Sequence, residues 1–283
     1  MVEQRPGRSR DTTRDVVVVT GAGGMGVAIA RRIGNGRTVL LADASQRQLD
    51  RSVGALSDEG YAVRGVPTDV SERGSVDRLA AEAAGEGRVA AVVHTAGVSA
   101  AQGAARTILE VNLLGTAHVI DAFEGVAGPG TALVCVSSMA GHVASLGGDD
   151  ERALATAPAD ALLGIRGVVA VGDSATSAYI VSKRANQLRV QAAALAWSRR
   201  GARVNSVSPG VIATAMAKAE AEGPSGAHML AMLEASGAGR TGTPAEIADA
   251  VAFLIGPEAR YITGTDLLVD GGQAAWLRHH RPS

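Results

Sequence analysis

The chain has 283 residues, of which 46% are hydrophobic and 19% are charged. This composition excludes a disordered chain, and the length suits one α/β domain. The formal net charge of -1 gives no basic excess that would point to nucleic acid or to an anionic membrane. Cys135 is the single cysteine, which rules out an intramolecular disulfide and a cysteine-based zinc cluster.

Residues 1–14 are polar, rich in arginine and without periodicity. They predict a flexible tail, with a functional basic arm as the alternative. No apolar segment follows the arginines as it would in a signal peptide, and no later stretch reaches about 18 apolar residues. We therefore expect a soluble, cytoplasmic protein.

From Asp15 onward, short apolar runs alternate with helix-length segments. The runs are nearly continuous in hydrophobicity, which is typical of parallel strands covered by helices on both faces. The pattern predicts one Rossmann-type α/β domain over residues 15–283, a doubly wound parallel sheet of seven strands. The predicted strands are residues 16–20, 38–43, 62–66, 89–94, 131–137, 202–207 and 266–270. Later in the chain, Thr243, Pro244 and Glu246 predict a capped helix start, with the helix ending near Ile255.

A glycine-rich turn, TGAGGMG, follows the first predicted strand, and its Gly21, Gly23 and Gly26 fit a G-x-G-x-x-G pattern. Backbone N–H groups at a helix start can hold a pyrophosphate, and glycines let it approach closely. Asp43 ends the second strand about 20 residues on, where a carboxylate can bind both ribose hydroxyls of NAD and repel the 2′-phosphate of NADP. Asp69 follows the third strand and is expected to contact adenine. Helix capping is the alternative role for both aspartates.

Tyr179 and Lys183 lie four residues apart in a predicted helix and therefore share one face. A tyrosine with a pKa near 10 is a poor base at neutral pH. A cation held at about 5 to 6 Å, with an effective dielectric near 20, favours the phenolate by roughly 3 kcal/mol, or about two pKa units. The pair therefore suits general acid–base catalysis, although in isolation such a pair is more often a surface contact.

Several motifs occur in a characteristic order: TGAGGMG, HTAG at 94–97, Asn112, the serine pair at 137–138, YIVSK at 179–183 and SPGVIAT at 208–214. With these motifs, and with VDGG at 269–272, the chain resembles the short-chain dehydrogenase/reductase family over residues 15–272. The resemblance implies an NAD(H)-dependent oxidoreductase that interconverts a secondary alcohol and a ketone, assembled as a homodimer or homotetramer and without a metal.

The resemblance also implies a catalytic tetrad. Tyr179 would be the general acid/base, Ser138 would bind the reacting oxygen, Lys183 would also hold the nicotinamide ribose, and Asn112 would anchor a proton-relaying water. The implied NAD-binding positions are Gly21, Gly23, Gly24, Met25, Gly26, Asp43, Asp69, Val70, Thr95, Ala96, Gly97, Tyr179, Lys183, Pro209, Gly210, Ile212 and Thr214.

The chain departs from the family pattern in three places. The phosphate loop is one residue shorter than the usual TGxxxGxG. His94 stands where the family usually has asparagine, and we expect a packing or hydrogen-bonding role for it. Ser138 and Tyr179 are 41 residues apart, which indicates an insertion at about 141–175, similar to that of some bacterial hydroxysteroid dehydrogenases and carbonyl reductases. Long loops in compact domains are usually functional, so we expect this broken helical segment to cover the pocket rim or a subunit surface.

The segment from Ala215 to Gly237 predicts a mobile substrate lid, with an ordinary packed helix as the alternative. Its apolar residues are expected to line an adaptable pocket, and Lys218 is its only cation. A neutral, largely apolar and cyclic ketone or alcohol is the expected substrate. A cofactor-sensing regulatory protein and a non-redox dehydratase or epimerase are the alternatives on the same fold. The expected pocket residues are Met216, Met229, Leu230, Met232 and Leu233, whereas Cys135 is expected in the core and His279 and His280 in a solvated polar tail.

Overall fold

A computed structural model describes residues 15–223 and 226–279. The tail predicted at 1–14 and His280 lie outside the described residues. One parallel sheet has the strand order β3-β2-β1-β4-β5-β6-β7, which confirms the Rossmann-type α/β prediction. The strands are β1 Asp15–Thr20, β2 Thr38–Asp43, β3 Val63–Pro67, β4 Arg88–His94, β5 Ala132–Val136, β6 Arg203–Pro209 and β7 Asp266–Val269.

Helices cover both faces of the sheet. They are α1 Gly24–Ile33, α2 Gln46–Asp58, α3 Arg73–Glu86, α4 Ala105–Ile108, α5 Gly115–Val126, α6 Gly148–Thr156, α7 Arg166–Val169, α8 Ala175–Arg199, α9 Ala215–Ala221, α10 Gly226–Ala235, α11 Pro244–Ile255 and α12 Gln273–His279. Side chains of β1 alternate between the two layers: Val16 and Val18 pack with α3, α5 and α8, whereas Val17 and Val19 pack with α1, α2 and α11. Burial on both faces explains why the strands are continuously apolar.

The start of α11 has the predicted capping box. The Thr243 hydroxyl accepts from the Glu246 N–H at 3.3 Å, and the Glu246 carboxylate accepts from the Thr243 N–H at 2.8 Å. Pro244 occupies the first turn, and the helix ends at Ile255 as predicted.

The segment between Ser138 and Tyr179 is broken helix, with α6 and α7 separated by a 3₁₀ turn at Ala159–Gly164. Its Leu154, Leu162 and Val168 pack against α4 and α8. The cleft at the carboxyl ends of the strands is lined by Ala140 and Thr176, which flank this segment, but by none of residues 141–175. Its role at a subunit surface stays a prediction.

His279 is exposed, as predicted, although it ends a helix that the sequence did not predict, α12 at Gln273–His279. The Asp270 carboxylate caps this helix by accepting from the Ala274 N–H at 2.7 Å, and Trp276 and Leu277 are partly buried in an apolar cluster. Over the described residues, the structure has no helix that combines the length and the apolar character required to cross a membrane.

Candidate active site

A cleft of about 880 Å³ opens at the carboxyl ends of the strands. The strand order reverses between β1 and β4, and ligands of open α/β sheets bind at such a switch point. Every cofactor position predicted from the sequence lines this cleft, as do Ser138, Tyr179 and Lys183. Asn112 is the member of the predicted tetrad that does not line it.

The glycine-rich turn leaves open space at the start of α1. Gly21 has a φ of 88°, and a Cβ at Gly26 would lie 1.8 Å from the Gly21 carbonyl oxygen. Gly23 and Gly24 differ, since a Cβ on either would meet nothing within 4 Å. No side chain caps the N-terminus of α1, so its first N–H groups face the cleft without a competing acceptor from the cap. Such a helix start can bind an anionic group.

Both oxygens of the Asp43 carboxylate accept hydrogen bonds from backbone N–H groups. Oδ2 accepts from the Ala22 N–H at 2.8 Å, and Oδ1 accepts from the Ser45 N–H at 2.8 Å. Asp69 accepts from both the N–H and the hydroxyl of Ser71. The helix-capping alternative is not confirmed for either aspartate, because Ser45 is the N-cap of α2 and Glu72 is the N-cap of α3. An ionised carboxylate with about four acceptor sites retains room for a ligand.

Tyr179 and Lys183 lie one turn apart on α8, with the Lys183 Nζ 5.6 Å from the centre of the tyrosine ring. The ammonium group is buried and donates to the Val136 carbonyl oxygen at 3.2 Å. Burial lowers the pKa of Lys183 to about 8, because the charged form loses its hydration. The Ser137 hydroxyl donates to the Lys183 carbonyl at 2.7 Å and ties the end of β5 to α8. Ser138 is thereby brought to the same part of the cleft.

Asn112 lies behind this group, in a π-helical turn at Leu109–Leu114. Its amide donates to the Val98 carbonyl at 2.9 Å and accepts from the Val98 N–H at 2.8 Å. A Cβ on Gly97 would come 3.2 Å from the Asn112 Oδ1 and 3.6 Å from the Lys183 Nζ, so both side chains flank Gly97. Local π-helical turns are frequent at functional sites.

Comparison with known proteins agrees with this geometry. The family model described as short chain dehydrogenase matches residues 15–149, and the one described as Enoyl-(Acyl carrier protein) reductase matches residues 162–274. Short-chain dehydrogenase/reductase bsc3 of Alternaria brassicicola is 38% identical over 268 residues, spanning 94% of this chain and 97% of that protein. The chain belongs to the short-chain dehydrogenase/reductase family. It is an oxidoreductase.

Other similar proteins have different named substrates. Galactitol 2-dehydrogenase (L-tagatose-forming) of Cereibacter sphaeroides is 32% identical and spans 91% of this chain and 94% of its own length. The solved structure of the 3-alpha-hydroxysteroid dehydrogenase from Pseudomonas sp. B-0831, complexed with NADH, has a TM-score of 0.76 and 26% identity, and the match covers 94% of this chain and 100% of that one. The named substrates thus range from a polyol to a steroid.

This short-chain dehydrogenase/reductase has His94 at the end of β4, fully inside the core. The Thr116 hydroxyl donates to the Asn112 carbonyl at 2.8 Å, so its oxygen accepts from the His94 Nε2–H at 3.1 Å. The His94 Nδ1 then accepts from the Thr20 hydroxyl at 2.7 Å. Burial lowers the pKa of His94 to about 3 and keeps the ring neutral. The expectation of a hydrogen-bonding core residue is confirmed.

The predicted lid consists of α9 and α10. Met216, Met229 and Met232 line the cleft, whereas Leu230 is wrongly predicted to do so, since it is 55% exposed. Leu233 is also wrong as a lining residue, because it is buried on another side of α10. Sequence reasoning missed Met139, although it directly follows Ser138. All methionines in the described residues line the cleft: Met25, Met139, Met216, Met229 and Met232.

Proposed function

We propose that this enzyme uses NAD(H) to interconvert a secondary alcohol and a ketone. The observation that carries the proposal is the grouping of Ser138, Tyr179 and Lys183 in one cleft beside the open N-terminus of α1. An acid/base pair next to an anion-binding helix start is the arrangement that hydride-transfer chemistry at a carbonyl requires.

The cleft fits a dinucleotide cofactor. The space above Gly23 and Gly24 would hold the pyrophosphate, and Asp43 and Asp69 with Val70 would hold the adenosine half. The nicotinamide half would lie near Thr95, Ala96, Gly97, Pro209, Gly210, Ile212 and Thr214. Bound NAD(H) supplies a hydride acceptor or donor at the substrate carbon.

The protein residues manage the proton at the substrate oxygen. The Tyr179 hydroxyl would donate a proton to that oxygen during reduction and remove it during oxidation. Protonated Lys183 lowers the pKa of a neighbouring phenol by favouring its anion. Ser138 would hydrogen-bond to the same oxygen, and Lys183 would also hold the nicotinamide ribose. Asn112 would anchor a water that returns protons to solvent.

Charge around the adenosine half supports NAD over NADP. Asp43 would repel the 2′-phosphate of NADP. Neither TGAGGMG nor Ala44 supplies an arginine or lysine that could bind that phosphate. At the other end of the cleft, the methionines support a neutral, apolar and cyclic substrate. The charged side chains that line the described part of the cleft are Asp43, Asp69 and Lys183. Lys218 is not among the lining residues, and its side chain is 78% exposed.

The test is NADH and NADPH consumption with a panel of cyclic ketones, keto sugars and short keto acids. We expect turnover with NADH and the highest kcat/KM for a cyclic ketone. Equal or better use of NADPH would refute the cofactor assignment, and preference for keto acids or sugar phosphates would refute the apolar pocket. NADH binding without consumption would indicate a sensor, or an epimerase or dehydratase that uses the cofactor transiently.

A further inference from the structure

The C-terminal helix α12 is bonded to two segments that line the cleft. At its start, the Gln273 side-chain oxygen accepts from the Val211 N–H at 2.9 Å and fixes the loop after β6. At its end, the Arg278 guanidinium donates to the carbonyl oxygen of His142. His142 belongs to the 3₁₀ turn at Met139–Val143, directly after Ser138. The helix therefore connects the proposed nicotinamide side of the cleft with the serine turn.

The serine turn is fixed from a second direction by β7. The His142 Nε2 lies 2.7 Å from the Asp266 Oδ2, and the Asp266 Oδ1 accepts from the hydroxyls of Ser206 and Ser208. Asp266 is nearly buried, with 7% of its side chain exposed. Both the side chain and the carbonyl of His142 are thus committed to contacts outside the turn, so the backbone around Met139 is held in place.

The apolar side of α12 supports the methionines of the cleft. Ala274 forms a buried cluster with Met139 and Met232, and Trp276 packs against this cluster together with Met229 and Leu277. Thioether side chains are flexible and adapt to a ligand. An indole is bulky and has only two side-chain torsions, so its position depends on the helix that carries it. The room available to the methionines is therefore limited by Trp276.

We infer that α12 sets the size of the substrate compartment and that Trp276 is a specificity-determining residue. This inference rests on the proposed ketone and alcohol chemistry of the same cleft. Removing the indole would let the methionines move away from the cleft. The kcat/KM for bulky ketones would then rise relative to that for small ones. The cofactor half of the cleft, at Gly21–Gly26 and Asp43, is formed by other elements and would keep its affinity.

The experiment compares kcat/KM for cyclopentanone and for a 3-keto steroid, with NADH, in wild type and Trp276→Ala. We expect the steroid-to-cyclopentanone ratio to rise by about tenfold, the scale of discrimination that pocket size provides. Trp276→Phe should give a smaller rise, and the dissociation constant for NADH should stay unchanged. Leu230→Ala is the matched control, because Leu230 lies on α10 beside Met229 but faces solvent.

An unchanged ratio in active, NADH-binding Trp276→Ala would overturn the inference and leave the proposed function standing. If none of the ketones supports NADH consumption by the wild-type protein, the proposed function is refuted instead. Thermal melting checks that each variant folds. If Trp276→Ala does not fold, Trp276→Phe decides the question by the same ratio, and an equal shift in Leu230→Ala would also overturn the inference.

Discussion

Lys183 should have a pKa near 8 in the cofactor-free protein. Its ammonium group is buried and bonds to the Val136 carbonyl, and burial lowers the pKa from 10.5 to about 8. At 1.36 kcal/mol per unit, this lowering corresponds to about 3 kcal/mol. The unfolded chain holds the lysine proton up to pH 10.5 and the folded chain only up to about 8. Protonated Lys183 therefore opposes folding below pH 8, and the lost stability returns as the pH rises from 8 to 10.5.

Lys183→Met tests directly how much stability the protein loses by burying the Lys183 ammonium group. The variant has no charge to bury, so at pH 7 it should be more stable than wild type by up to about 3 kcal/mol, while losing turnover. The difference in the free energy of unfolding between the variant and the wild type should shrink towards zero near pH 10.5. Urea unfolding at pH 7 and pH 10 measures the difference, and Lys218→Met on the exposed lid is the control.

The pKa itself can be read by NMR. The sequence has only two lysines, Lys183 and Lys218, so ¹³Cε-lysine labelling gives two assignable signals. We expect the Lys183 signal to titrate near pH 8. A midpoint near 10.5, or a Lys183→Met variant less stable than wild type at pH 7, would refute the reasoning.

Three further predictions concern the cofactor half of the cleft and the core. Wild type should prefer NADH over NADPH by at least about tenfold in kcat/KM, which is roughly 1.4 kcal/mol. Asp43→Asn should reduce this NADH-to-NADPH ratio. An unchanged ratio would show that the Asp43 carboxylate does not cause the preference. Gly24→Ala should weaken NADH binding in a titration without lowering Tm, because its methyl group enters open space, whereas Gly26→Ala should lower Tm because its Cβ would lie 1.8 Å from a carbonyl oxygen. The buried His94 ring stays neutral while the unfolded chain takes up a proton, so the free energy of unfolding should fall by on the order of 5 kcal/mol as the pH falls from 6.5 towards 3. In His94→Asn, the free energy of unfolding should depend less on pH over this range.

The sheet was predictable because buried parallel strands are continuously apolar. Each strand was placed to within two residues, and the i, i+4 spacing brought Tyr179 and Lys183 together on α8. The side of α10 that faces the cleft was not predictable, since Met229 lines it and Leu230 is exposed. Both residues are apolar, so only the packing of the lid distinguishes them.

The helix α12 was missed because its stability comes from distant residues. Its seven residues are too few to form a helix alone. The Asp270 cap is local, but the Arg278 guanidinium reaches the His142 carbonyl 136 positions away in the chain. Local sequence carries no trace of that contact, nor of the bond between His142 and Asp266.

The proton transfer assigned to Tyr179 is the centre of the proposed mechanism. Tyr179→Phe keeps the ring and removes only the hydroxyl, so Lys183 and the cofactor half of the cleft stay in place. Steady-state kcat with NADH and the best ketone, measured beside the dissociation constant for NADH, separates chemistry from binding. The account predicts a loss of about 10² to 10⁴ in kcat with NADH affinity unchanged. A variant that keeps more than about 10% of kcat would contradict it, because general acid catalysis contributes more than that.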